Sequence, residues 1–204
     1  MEEGNGTGTP VGPRIVGILG SVRPANYTAM AMRLVQDQVE DTAGFSFQLI
    51  DPATLDLPLP GRGGSDDAAF IQEAVAGATG VVLATPEYHG SFSSVMKLVI
   101  EHLGFPSRLS GKPVALLGVA GGSIGAIKSL EQLRGVCSHV GAVVLPGPVS
   151  VANVRSVFDS EGNCLDSAVE GRLRGVAESL TGYIRAAVCP ARSLEAMVRE
   201  AAVS

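Results

Sequence analysis

Apolar and polar positions alternate between two rhythms along the chain: short unbroken apolar runs, and longer stretches with an apolar stripe every three to four residues. Arg14 to Gly20 is the first run and predicts a buried strand ending in glycine. Tyr27 to Glu40 follows as a helix with Ala31, Leu34 and Val35 on one face. Phe45 to Ile50 is a second strand, and a Pro/Gly-rich loop then spans Asp51 to Ser65. Asp66 or Asp67 is placed to cap a short helix reaching Ala76. Gly80 to Thr85 is continuously apolar, the pattern of a strand buried on both faces of a parallel sheet. Past a loop from Pro86 to Phe92, Ser93 can cap a helix through Leu103, with apolar positions 95, 96, 99, 100 and 103 in one stripe.

Lys112 to Val119 is the fourth strand, followed by a glycine-rich loop, Ala120 to Gly125. The next helix runs to His139 with Ile127, Leu130, Leu133 and Cys137 facing inward. Ala142 to Leu145 is the fifth strand. Ser167 with Glu170 forms a capping box for a helix whose stripe is Val169, Leu173, Val176, Leu180 and Ile184. Strands alternating with helices five times predict an α/β domain: a parallel sheet covered on both faces, joined by right-handed crossovers. That domain spans 14–188. Residues 1–13, rich in Gly and Thr, are expected to be a disordered tail, and 189–204 a C-terminal extension forming a short helix with Leu194, Met197, Val198 and Ala201 on one side.

A length of 204 residues suits this single domain, and 46% hydrophobic residues suffice for its core. The net charge of −5 argues against nucleic acid or an anionic membrane as partner. No stretch resembles a spanning helix or a signal peptide, so a cytoplasmic location is expected. Cys137, Cys164 and Cys189 are far apart, which signals neither a disulfide framework nor a zinc site, and three dispersed histidines offer no metal cluster.

In such sheets, ligands bind at the carboxyl ends of the strands, where strand order reverses. The loops after strands one, three and four therefore carry the information. Gly20-Ser21-Val22-Arg23-Pro24-Ala25-Asn26-Tyr27-Thr28 opens directly into a helix. Small hydroxyls, an amide and an arginine at a helix N-terminus suit a phosphate. The loop lacks both G-x-G-x-x-G and G-K-[ST], so a monophosphate fits better than a pyrophosphate. In Thr85-Pro86-Glu87-Tyr88-His89-Gly90-Ser91-Phe92-Ser93, Pro86 fixes the turn and Gly90 lets the backbone pass close to a flat ligand. Gly121, Gly122 and Gly125 make a side-chain-poor floor for a planar ring. Each loop also has a plain structural reading as an ordinary strand-to-helix turn.

Together, Gly20-Ser21-x-Arg23, Thr85-Pro86-Glu87-Tyr88 and Gly121-Gly122-x-x-Gly125 before Leu130-Glu131-Gln132-Leu133-Arg134 resemble the NADPH-dependent FMN reductase family, which includes chromate, quinone and azo-dye reductases. The resemblance runs from Arg14 to Leu180. It implies a flavodoxin-like, doubly wound sheet of five parallel strands in order 2-1-3-4-5. FMN would be the bound cofactor and NADPH or NADH the electron donor. The acceptor would be a small molecule: a quinone, azo compound, chromate or flavin. Ser21, Arg23, Asn26, Tyr27 and Thr28 would grip the FMN phosphate, Pro86, Glu87, Tyr88, His89 and Gly90 would contact the ring, and Gly121, Gly122 and Ser123 would border it. The chain departs from many relatives at Asn26, Thr28 and His89-Gly90, and at Ser123-Ile124, where they carry an arginine.

Because the flavin carries the chemistry, no catalytic side chain is required. Glu87 is expected to act through its backbone with its carboxylate turned away. His89 reads as an exposed rim residue before it reads as a proton donor. Arg134 reads as a solvated or subunit-contact charge. Two other classes compete: a flavodoxin-like electron carrier without NAD(P)H turnover, disfavoured by the absence of Trp, and a non-enzymatic α/β module, disfavoured by the intact phosphate-type loop. Relatives form dimers or tetramers, so a homodimer or homotetramer is expected.

Overall fold

The structure, a computed structural model, describes residues 12–203. Of the expected N-terminal tail, residues 1–11 lie outside the described residues. The elements are β1 (Arg14–Leu19), α1 (Tyr27–Glu40), β2 (Ser46–Ile50), α2 (Asp66–Gly77), β3 (Gly80–Tyr88), β4 (Ser91–Phe92), α3 (Ser94–His102), β5 (Pro113–Val119), α4 (Ile127–His139), β6 (Val143–Val144), β7 (Val149–Val151), α5 (Ser167–Tyr183) and α6 (Cys189–Val203).

The central strands are apolar through their middles, Ile15–Leu19, Val81–Ala84 and Val114–Val119, because both faces are covered, and successive side chains point to opposite sides. Ile15, Leu19, Val82, Ala84, Ala115, Leu117 and Val119 pack with Met32 and Val35 of α1 and Leu173 and Leu180 of α5. The alternate positions Val16, Ile18, Val81, Leu83, Val114 and Leu116 pack with Ile71 of α2, Met96 and Val99 of α3, and Leu130 and Leu133 of α4. Two cores thus flank one sheet.

The parallel strands run β2-β1-β3-β5-β6, with β7 pairing beyond β6 on the same edge of β5. With the hairpin strand β4 set aside, this is the expected 2-1-3-4-5 order. The fifth position is longer than the sequence pattern implied and is broken. Pro146 and Pro148 have no N–H for the ladder, so pairing stops after β6 and resumes at Val149 opposite Leu117.

Several local expectations need correction. Ser65, not Asp66 or Asp67, caps α2, its Oγ accepting from the Ala68 N–H at 3.0 Å. Asp166, not Ser167, caps α5, accepting from the N–H groups of Ala168 (2.9 Å) and Val169 (3.1 Å). The Glu170 carboxylate that a capping box would turn back instead accepts from Arg174 Nε at 2.9 Å. Ile127 faces outward and is 52% exposed, and the half-buried Arg134 is anchored rather than free, its Nη2 donating to the Leu145 carbonyl at 3.1 Å. The C-terminal segment forms helix α6, which is joined to α5 through a π-helical turn, Ile184–Val188. Pro190 would collide with the carbonyl four residues earlier in a regular helix, and the widened turn just before it accommodates the ring.

Candidate active site

A buried hydroxyl network fixes the mouths of β1 and β3 relative to each other. Ser93 caps α3 by accepting from the Met96 N–H at 3.0 Å, and its own hydroxyl donates to the Gly20 carbonyl at 2.5 Å. The Ser93 N–H donates to Thr85 Oγ1 at 3.1 Å. Gly20 must be glycine for this approach, because a Cβ there would meet Ala84 O at 3.0 Å and Ser93 Oγ at 3.1 Å.

The first loop then turns into α1. Asn26 is the cap: Oδ1 accepts from the Ala29 N–H at 2.9 Å, and Nδ2 donates back to Arg23 O at 2.8 Å. Among the described residues, the backbone N–H groups of Asn26, Tyr27 and Thr28 have no protein acceptor, and they sit at the positive end of the helix. Ser21 and Thr28 are buried beside them.

The second loop is shorter than expected because β3 continues through Pro86, Glu87 and Tyr88 and returns as β4. The two turn residues, His89 (φ +53°) and Gly90 (φ +79°), are both left-handed, as a tight two-residue hairpin requires. Glu87 closes this turn, its Oε1 accepting from the Gly90 N–H at 2.6 Å. Gln132 of α4 clamps the hairpin from outside, donating to Gly90 O (2.9 Å) and accepting from Ser91 Oγ (2.7 Å). Tyr88 lies under the Arg23 guanidinium, 4.7 Å from carbon to ring centroid.

The third loop supplies a bare surface. A Cβ at Gly121 or Gly122 would touch nothing within 4 Å, so glycine there answers no packing demand and leaves open space above the backbone. Gly125 is different: it is left-handed (φ +74°), and a Cβ would strike Ser150.

The three loops converge. Ser21, Arg23, Asn26, Tyr27 and Thr28, with Pro86, Glu87, Tyr88 and Gly121, line one cleft of about 380 Å³. Glu87, Gly90, Gly122 and Ser123 line a neighbouring cleft of about 350 Å³. His89 lines neither cleft and is exposed at the hairpin tip. Among the described residues, the three non-glycine residues with positive φ are Ala25, His89 and Asn153, and all three border this sheet edge. Such strain persists only where surrounding structure imposes it, and it concentrates at ligand sites.

The sequence profile of the NADPH-dependent FMN reductase family matches residues 13–155. The chain belongs to that family. Among curated relatives of this FMN reductase family chain, an NADPH azoreductase of Bacillus sp. (strain OY1-2) is 34% identical over 84% of this chain and 92% of the relative. NAD(P)H-dependent FMN reductase PA1204 of Pseudomonas aeruginosa is 26% identical over 84% and 95% of the respective chains. In fold, the chain is similar to FerB, a flavoenzyme NAD(P)H:(acceptor) oxidoreductase from Paracoccus denitrificans (TM-score 0.71, 21% identity, 85% and 97% covered). It also resembles the flavodoxin of Streptococcus pneumoniae TIGR4 (TM-score 0.57, 18% identity, 83% and 97% covered), which makes the fold flavodoxin-like. This FMN reductase family member is an NAD(P)H-dependent oxidoreductase.

Three residues of this oxidoreductase that line the clefts escaped the sequence reading: Val154 and Arg155 in the first, Lys128 in the second. The signal for the first two was the alternation Val149-Ser150-Val151, a strand fragment whose following turn reaches the same sheet edge. Lys128 lies one residue into α4, where the apolar stripe marks only its buried neighbours.

Proposed function

We propose that the paired clefts hold FMN and that the protein passes electrons from NAD(P)H to a small acceptor: a quinone, azo compound, chromate or free flavin. The observation that carries this reading is the conjunction of unpartnered N–H donors at the start of α1 with a glycine floor, Gly121 and Gly122, that leaves open space above the backbone. The first suits a phosphate monoester and the second a flat ring, and one cleft joins them.

When bound, FMN accepts hydride from the dinucleotide and passes electrons on. The chain's residues do the rest. Ser21, Arg23, Tyr27 and Thr28, with the Asn26 N–H, hold the phosphate. Pro86 to Tyr88 and Gly90 wall the ring, and Gly121, Gly122 and Ser123 border it. Glu87 contributes backbone rather than charge, because its carboxylate is engaged by its own turn. His89, at the rim, meets the incoming acceptor from solvent. The second cleft, with Lys128 at its edge, gives the nicotinamide or acceptor room beside the ring.

We place the protein in the cytoplasm as a homodimer or homotetramer. Its three cysteines are free thiols, and no helix among the described residues is long and apolar enough to cross a membrane. A groove of about 670 Å³ at the broken fifth strand lies beside the exposed Ile124 and Ile127, an apolar edge suited to a second copy.

Anaerobic titration is the test. Purified protein reconstituted with FMN should quench flavin fluorescence on binding, and NADPH should then bleach the visible flavin absorbance. Failure to bind FMN would overturn the reading. Binding without bleaching by NADPH or NADH would make the protein an electron carrier.

A further inference from the structure

We infer that Arg155, from the turn after β7, is a second cation for the FMN phosphate, opposite the loop that opens α1. This rests on the flavin reading above. Arg155 lines the same cleft as Asn26, Tyr27 and Thr28, although it comes from the far edge of the sheet.

Its placement is over-determined. Asn153 is left-handed (φ +48°, ψ 39°), its N–H donates to Gly122 O at 3.1 Å, and the Val154 N–H donates to Ala120 O at 3.0 Å. The Val154 side chain is buried. Just beyond, the Phe158 ring packs on Tyr27 with centroids 6.4 Å apart, drawing this segment across to the start of α1. The turn carrying Arg155 is therefore bonded to the glycine floor on one side and packed on the phosphate loop on the other.

The guanidinium also has nothing else to do. The ion pairs among the described residues are Lys97–Glu101 and Arg174–Glu170, so Arg155 has no carboxylate partner. Glu87, the one carboxylate lining the cleft, is taken by the Gly90 N–H.

Charge balance asks for such a group. A phosphate monoester carries about −1.5 to −2 at neutral pH, and a helix N-terminus supplies only about +0.5. Arg23 adds one positive charge, but its guanidinium is drawn onto the Tyr88 ring. A second arginine closes the deficit and provides the forked donors that phosphate oxygens accept.

The experiment compares FMN with riboflavin, which has the same ring and no phosphate. Flavin fluorescence titrations on the wild type, Arg155→Ala and Arg155→Lys, with thermal melts to confirm folding, should show Arg155→Ala binding FMN about tenfold more weakly. Riboflavin affinity should stay within about twofold, and Arg155→Lys should recover part of the loss. The salt dependence of FMN binding should be shallower in Arg155→Ala. Unchanged FMN affinity, or equal losses for both flavins, would overturn the inference. So would an unchanged FMN affinity with NADPH binding weakened relative to NADH, which would assign the arginine to the dinucleotide's extra phosphate. If the wild type itself binds no FMN, the flavin reading fails; if it binds and Arg155→Ala is indifferent, only this inference does.

Discussion

At Glu87 the side chain and the backbone have separate tasks. Its carboxylate spans the hairpin turn to the Gly90 N–H while its main chain runs along the cleft. Glu87→Gln keeps an oxygen acceptor for that N–H and removes a charge, so FMN affinity should stay within about twofold of wild type by fluorescence titration. A loss of tenfold or more would mean that the carboxylate touches the cofactor. Cys137 illustrates the opposite case, a titratable group with no role in the cleft. Burial pushes its thiol up from 9.0 to about 12, against the opposing effect of Arg134. The unfolded chain therefore loses this proton first, and stability falls as pH rises from about 9 towards 12, by up to about 1.4 kcal/mol per pH unit. Chemical denaturation of Cys137→Ser and wild type across that range should give a steeper alkaline decline for wild type. At pH 8 a thiol reagent should label Cys164 and Cys189 in the native protein and Cys137 only after unfolding. Residue types in the phosphate-type loop were readable from the sequence because hydroxyls, an amide and an arginine gather there, more donors than one helix cap uses. Arg155 was not, because its relevance depends on a crossing that only the fold creates.

Elements with strong periodicity were legible, and their ends were less so. The stripes of α1, α3 and α5 and the unbroken apolar runs of β1, β3 and β5 follow directly from burial on one face or two. What blurred was local hydrogen bonding, where neighbouring residues compete for one position. Ser65 competes with Asp66, and Asp166 with Ser167, and the winner is the residue whose backbone stays extended before the helix begins. This competition is testable at α5. Asp166→Ala removes the acceptor for two N–H groups and should cost about 1 kcal/mol, whereas Ser167→Ala should be nearly neutral. Urea midpoints for both variants decide the matter, and the reverse order would restore Ser167 as the cap. The hairpin β3–β4 was hidden for a related reason: Pro86 and Gly90 look like loop residues, yet Pro86 pairs opposite Val119 at the end of the strand and Gly90 supplies one of two left-handed turn positions.

At the scale of the molecule, the sheet ends on β2 at one edge and on β6 and β7 at the other, where the two prolines interrupt the fifth strand and leave the groove between Leu145–Ser150 and α5. An edge left unpaired is ordinarily protected by a partner or by charge, and here its border is apolar, with Ile124 71% and Ile127 52% exposed. Ile124 lines both this groove and the second cleft, so a second copy seated on the groove would abut that cleft. Ile127 lines the groove but neither of the two clefts at the candidate site, which makes it the position to change. Sedimentation of the wild type should give a dimer or tetramer, and Ile127→Asp, which places a charge where apolar surface would be buried, should shift it towards monomer. The FMN reconstitution level of Ile127→Asp, read at the same concentrations, separates two arrangements. Intact FMN binding in the monomer means that each subunit holds its flavin unaided, while a parallel loss means that the neighbouring copy completes the pocket. A wild type that sediments as a monomer at all concentrations would leave the apolar border without a partner of its own kind and remove this edge as the reason for its exposure.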